Sequence, residues 1–283
     1  MGKIKTSFSG HDKFDCKIDW VTKALKAYKE DNTIFLPSNV ESSISKLGLG
    51  VNMIKSLNHW MKAIGLIDNN NLTELGNIIL EKDPFFENNN TIWLLHWNLV
   101  KKIETATLYN LYFNKFYFNK FTKQELLEQL IHWVQKHNIN ISPTTLKSDI
   151  EVFLKMYTFN NKNNITMSLF SDLRILSKHN DIYNLNINNT ASFSDDVFLY
   201  VLNDYLEIKY PNGIHSISID DIQRGTISIQ KSLCMHENLL FSKIHNLNSL
   251  TDNKMSYSEA AGIKQIYIVE QLSKAELLKK IYS

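Results

Sequence analysis

The segment F-S-G-H-D-K-F near the N-terminus gathers the residue types best suited to chemistry in this chain. His11 and Asp12 lie side by side between Phe8 and Phe14, outside any helical periodicity, and Lys17 follows within reach. Histidine titrates near neutral pH, so beside a carboxylate it could act as a general base or as a metal ligand in strand cleavage. A structural reading competes: Phe8 and Phe14 would anchor an N-terminal arm in the core while His11 makes a buried hydrogen bond.

A different chemistry, recognition of duplex DNA, is suggested by residues 51–64. The apolar side chains Val51, Ile54, Leu57, Met61 and Ile64 recur every three or four positions, which predicts an amphipathic helix. Its other face carries Asn52, Lys55, Ser56, His59 and Lys62. An asparagine can pair with adenine in the major groove and lysines can contact phosphates, so this is a candidate recognition helix. A plain solvated face, or one that binds protein, fits the same pattern.

A second candidate face, Thr144, Thr145, Lys147 and Ser148, follows a Ser142-Pro143 helix start and is similar to the recognition helix of DeoR-like repressors. A capped surface helix in a bundle explains it equally well.

Other chemistries find no support. The chain shows no Walker-type glycine loop, no GxSxG elbow and no PD…ExK spacing of common restriction nucleases. Asp149 and Glu151 are close in sequence but fall on different helix faces. His96, between Trp93 and Trp97 on an aromatic helix, reads as a core histidine. Cys16 and Cys234 lie far apart and form no CxxC pair, so neither a zinc ribbon nor a disulfide framework is indicated, and a reducing compartment fits.

The elements that must position these residues can be read from periodicity and caps. Ile18, Val21, Leu25 and Tyr28 predict a helix over 16–30, and a second run ends at Gly48. After the 51–64 helix come a short L-I-D, a turn of asparagines at 69–71, an L-T pair and a helix over 74–82. Helix, turn, helix, strand, wing, strand, helix is the order of a winged-helix domain. An aromatic helix begins near Thr91, residues 104–120 show aromatic helical spacing, and Thr122 with Glu125 forms a capping box.

The Asn-rich stretch 160–164 is taken as a boundary. Beyond it, 194–208 reads as helix, S-I-S-I and T-I-S-I as short strands, and a hairpin turns at Ala261-Gly262 before a last helix from Ser273. The expected fold is mainly α with small β-wings, built of tandem winged-helix or helix-turn-helix modules. Three domains are expected: 1–104 with the arm and winged helix, 105–165 helical, and 166–283 α+β.

A chain of 283 residues with 43% hydrophobic and 11% aromatic side chains can bury a real core. With Lys+Arg 31 against Asp+Glu 29, a net charge of +2 means that any nucleic-acid surface must be a local patch. The N-terminus lacks the apolar core of a signal peptide, and no run approaches the length of a membrane span, so a cytoplasmic protein is expected.

Taken together, F-S-G-H-D-K-F with Trp20 and Lys23, L-G-L-G-V-N-M-I-K-S-L-N-H-W-M-K-A-I-G-L-I, L-T-E-L-G, and D-P-F-F-E-N-N-N-T-I-W-L-L-H-W-N-L resemble domain-of-unknown-function family 4007. S-Y-S-E-A-A-G-I-K-Q-I-Y-I resembles its closing segment. Members are encoded with bacterial phage-defence and DNA phosphorothioation genes, and a member of this type is the nicking subunit of Ssp-type systems. The resemblance implies a DNA-modification role, duplex DNA and other proteins of a defence complex as partners, and single-strand nicking that opens the backbone for sulfur. A nicking step would call for a divalent metal, Mg or Mn. Lys17 stands where the family places an arginine, and a lysine there meets phosphate without the planar two-point fork. A non-enzymatic transcriptional regulator or adaptor is the alternative.

Overall fold

The structure, a computed structural model, describes residues 4–159, 167–187 and 192–283. The expected boundary at 160–164 lies outside them. The chain forms two compact units, one of residues 1–112 and 118–186, the other of residues 113–117 and 187–283.

The first unit opens with an arm that turns over Ser9–Lys13 and leads into α1 (Ile18–Glu30). Val21, Leu25 and Tyr28 are buried as their spacing requires. α2 (Val40–Leu47) stops at Gly48, and α3 (Val51–Ala63) starts after Gly50. β1 (Ile67–Asp68) and β2 (Asn71–Leu72) pair antiparallel, and α4 (Glu74–Lys82) follows with Thr73 capping it by accepting a hydrogen bond from the Gly76 amide. Gly76 allows α4 to approach the chain before β1, because a Cβ there would lie 2.4 Å from the Leu66 carbonyl oxygen.

α5 (Asn89–Val100) is buried along its whole length from Thr91 to Val100, which explains why it shows no polar face. The expected helical series over 104–120 is broken. α6 (Thr107–Leu111) is a short helix, Tyr112–Phe116 is a π-helical turn, and β3 (Lys120–Thr122) is a strand. Buried aromatics on every side mask that break, since their spacing marks no preferred face.

The capping box forms as read: the Thr122 hydroxyl accepts from the Glu125 amide at 3.2 Å and the Glu125 carboxylate accepts from the Thr122 amide at 2.7 Å, opening α7 (Lys123–Lys136). α8 (Pro143–Tyr157) is capped by Ser142, whose hydroxyl accepts from the Thr145 amide at 3.1 Å. β3 pairs with β5 (Ile182–Leu185), which pairs with β4 (Leu176–His179), all antiparallel, with Phe121 opposite Tyr183.

In the second unit α9 (Asp195–Lys209), capped by Ser194, packs on the terminal α14 (Lys274–Ile281), capped by Ser273. Of the two expected strands, Ser216–Ser218 forms β6, whereas T-I-S-I does not pair. Ser228 there caps α11 (Ile229–Ser232) after α10 (Ile219–Arg224), because its hydroxyl is committed to the Lys231 amide and to the carbonyls of Ile222 and Gln223. α12 (Glu237–His245) and α13 (Leu247–Leu250) precede β7 (Met255–Ala260) and β8 (Ile263–Ile268), in the sheet order β6-β8-β7. Ala261 and Gly262, at φ 51° and 79°, make the tight turn between β7 and β8.

The fold is thus mainly helical with small antiparallel sheets. Among the described residues no helix is long and apolar enough to cross a membrane.

Candidate functional site

The arm is held by hydrogen bonds from three helices of the first unit. The Ser7 amide donates to the Thr107 hydroxyl at 2.8 Å, and the Thr107 amide donates to the Ser7 carbonyl at 3.2 Å, so α6 fixes the start of the motif. The Ser9 amide and hydroxyl both donate to Asp149 Oδ1, at 2.9 and 3.1 Å, which ties the arm to α8. From α3, Trp60 Nε1 donates to the Phe14 carbonyl at 3.0 Å. Further along, the Cys16 carbonyl accepts from the Leu169 amide and the Asp15 carboxylate accepts from the Ser168 hydroxyl.

The anchoring residues are therefore not the expected phenylalanines. Phe8 and Phe14 are half-buried, whereas His11, Asp15 and Cys16 are buried. His11 lies flat on Trp60, with centroids 5.3 Å apart and planes within 6°, and it meets the edge of His59 at 6.3 Å. Its Nε2 is 3.4 Å from Asp149 Oδ1, and neither ring nitrogen has a hydrogen-bond partner among the described residues. Asp12, adjacent in sequence, is exposed at φ 49°. The carboxylate that faces His11 is Asp149.

A small cleft, with room for about one water molecule, opens here, lined by Ser7, Ser9, Gly10, His11, His59 and Asp149 together with residues 106–109. Gly10 lets the arm pass close to α3, since a Cβ would lie 2.5 Å from His59 Nδ1. Burial pushes the His59 pKa down to about 4, helped by charge on His11 and Lys62 and opposed by Asp149, so His59 is neutral at pH 7. On the inner wall, Tyr109 meets Trp60 edge-on at 5.8 Å, and burial pushes its phenol up, keeping it protonated.

The polar face of α3 is only partly available. Asn52, Lys55 and Lys62 are exposed, but Ser56 is buried, with its hydroxyl 3.5 Å from the Phe14 carbonyl. On a wheel of 3.6 residues per turn Ser56 lies beside Trp60, at the edge that the arm covers, so it cannot reach a groove. Val51, read as core, is exposed at the helix start.

On α8, Thr144 and Lys147 are exposed, whereas Thr145 is partly buried and shares the Ser142 cap. Lys17 Nζ lies 3.3 Å from Asp15 Oδ2, so part of its charge is already balanced within the arm. His96 is a core residue, with Nδ1 2.8 Å from the Tyr157 hydroxyl.

Asp149, Trp60 and Tyr109 complete the site and were not singled out from the sequence. Asp149 had been noted only for lying on a different helix face from Glu151, and that difference is its signal: one of the pair is buried and the other exposed.

Among the described residues no group of three or more His, Cys, Asp or Glu side chains converges as ligands for a metal ion. Both cysteines are fully buried, and burial pushes both thiols up, with the charge of Asp15 adding to the effect at Cys16. They are poor nucleophiles at neutral pH.

A family described as "Protein of unknown function (DUF4007)" matches residues 8–282, which takes in the F-S-G-H-D-K-F segment, the three helices of the cleft and the closing hairpin. The chain belongs to the DUF4007 family. Within it, the F-S-G-H-D-K-F arm and the α3 segment fall in the matched region.

Two solved structures share the fold seen here. A magnesium ion-bound SspB crystal structure is similar at TM-score 0.81 and 17% identity, over 97% of this chain and 86% of that one. A second SspB crystal structure gives TM-score 0.80 and 18% identity over the same shares. At such identity the likeness establishes the fold. No curated protein matches the chain.

Proposed function

We propose that this protein is a DNA-binding component of a bacterial DNA phosphorothioation system and works with other proteins of that system. The observation that carries the reading is the likeness of the fold to SspB over 97% of the chain, joined to membership of DUF4007. The α2–α3–β1–β2–α4 succession is read as a winged-helix module, with α3 entering the major groove.

Asn52, Lys55 and Lys62 are the contacts assigned to α3, since all three are exposed on one side of it. Thr144 and Lys147 on α8, and Lys17 on the arm, are assigned as further phosphate contacts. His59 is neutral, so it can contribute a hydrogen bond but no charge. Within the same reading the protein nicks one strand, and the cleft at His11 is the place for that chemistry.

The test is duplex binding by Lys55→Ala/Lys62→Ala. Removing two phosphate contacts is expected to weaken binding and to flatten the plot of log K against log salt by about two units of slope. Wild-type affinity and slope in the double variant would remove α3 from the interface.

A further inference from the structure

The cleft contains an arrangement that neither the family description nor the likeness to SspB assigns. We infer that Asp149 is the positioning carboxylate of His11, and that the two form a general-base dyad which activates water for attack on a DNA phosphodiester. The inference rests on the nicking part of the proposed function and names its acid–base groups.

Three features support it. Asp149 Oδ1 is fixed by two hydrogen bonds from Ser9, at 2.9 and 3.1 Å, so the carboxylate is held in place before any substrate arrives. The imidazole plane is fixed by stacking on Trp60 with only 6° between the rings. His11 Nε2 stands 3.4 Å from that same oxygen, and Nδ1, also buried, has no hydrogen-bond partner among the described residues.

A buried imidazole nitrogen without a hydrogen-bond partner is costly, and His11 Nδ1 is such a group among the described residues. A slight tightening on substrate binding would give an Nε2–H···Oδ1 hydrogen bond, as catalytic pairs commonly tighten. That bond selects the tautomer in which Nδ1 is the proton acceptor.

The resulting step balances without an oxidant or reductant. Water in the cleft gives a proton to His11 Nδ1 as its oxygen bonds to phosphorus. The P–O ester bond on the leaving side breaks, and the departing alkoxide takes a proton from solvent. His11 then returns its proton to solvent, so one water is consumed and one strand is opened. Asp12, exposed on the arm, takes no part.

The experiment combines relaxation of supercoiled plasmid, followed against pH with Mg²⁺ or Mn²⁺ present, with the nitrogen chemical shifts of the His11 ring in the full chain. Wild type is expected to nick and to hold the Nε2–H tautomer. Asp149→Asn is expected to lose that tautomer preference, slow nicking by about 10²–10⁴-fold and move the lower limb of the pH profile. Asp12→Asn should leave all three unchanged.

His11→Gln should slow nicking equally, and the His11→Gln/Asp149→Asn double variant should be no slower than either single variant, because the two groups act as a unit. Asp149→Glu, which keeps the charge, should recover part of the rate and so separates a lost dyad from a disturbed arm. If wild type leaves supercoils intact under every condition, the nicking reading fails and the dyad fails with it. If wild type nicks while Asp149→Asn keeps its rate and pH profile, or Asp12→Asn matches the loss, the dyad alone is overturned.

Discussion

Trp60→Ala is expected to lower the unfolding free energy of the first unit by about 3–5 kcal/mol, the usual cost of emptying a large aromatic site. Trp60 is fully buried and is the surface on which the site is assembled. It stacks under His11, meets the edges of His59 and Tyr109, and donates to the Phe14 carbonyl. Few single side chains here touch so many parts of the candidate site.

Trp60→Phe keeps an aromatic ring but leaves the Phe14 carbonyl without its indole donor, so a smaller loss of about 1–3 kcal/mol is expected. Urea unfolding measures both. The His11 ring proton shifts should move in each variant, because the indole above them is gone or altered. A loss below about 1 kcal/mol for Trp60→Ala, with unmoved His11 shifts, would mean that the arm is held without α3.

Acid should weaken the fold through His59. Its pKa falls from the ordinary 6.5 to about 4 in the folded chain, chiefly because burial penalises the imidazolium. Between those values the unfolded chain binds a proton that the folded chain does not, so stability drops as pH falls. The contribution is complete above pH 6.5, declines through the interval and is exhausted below about pH 4. A shift of this size corresponds to about 3 kcal/mol. In His59→Gln, which cannot titrate, the loss of unfolding free energy across that interval should shrink by about that amount. An unchanged slope would show that His59 is hydrated and titrates normally.

Local signals were legible in the sequence where one short segment decides the outcome. The Thr122–Glu125 capping box, the Ser142 and Ser273 caps, the stop at Gly48 and the Ala261-Gly262 turn each depend on a few adjacent residues, and each forms as read. Where burial is one-sided, as on α1, periodicity also located the core.

Patterns failed where a distant segment intervenes. The face of α3 reads as polar from Asn52 to Lys62, yet the arm, some forty residues earlier, covers Ser56 and encloses His59. No periodicity reports which side of a helix a remote strand of chain will occupy. The same limit hid Asp149, which meets Ser9 across 140 residues, so that Asp12 stood as His11's carboxylate by proximity in sequence alone. T-I-S-I has the composition of a strand, but the Ser228 hydroxyl caps a helix instead.

The central claim, that this chain serves DNA phosphorothioation, is tested most directly by the sulfur content of host DNA. Genomic DNA from cells with and without the gene would be digested and its phosphorothioate-linked dinucleotides quantified by mass spectrometry. They are expected to disappear when the gene is deleted and to return with the wild-type chain but not with Lys55→Ala/Lys62→Ala. Unchanged phosphorothioate levels in the deletion strain would contradict the account.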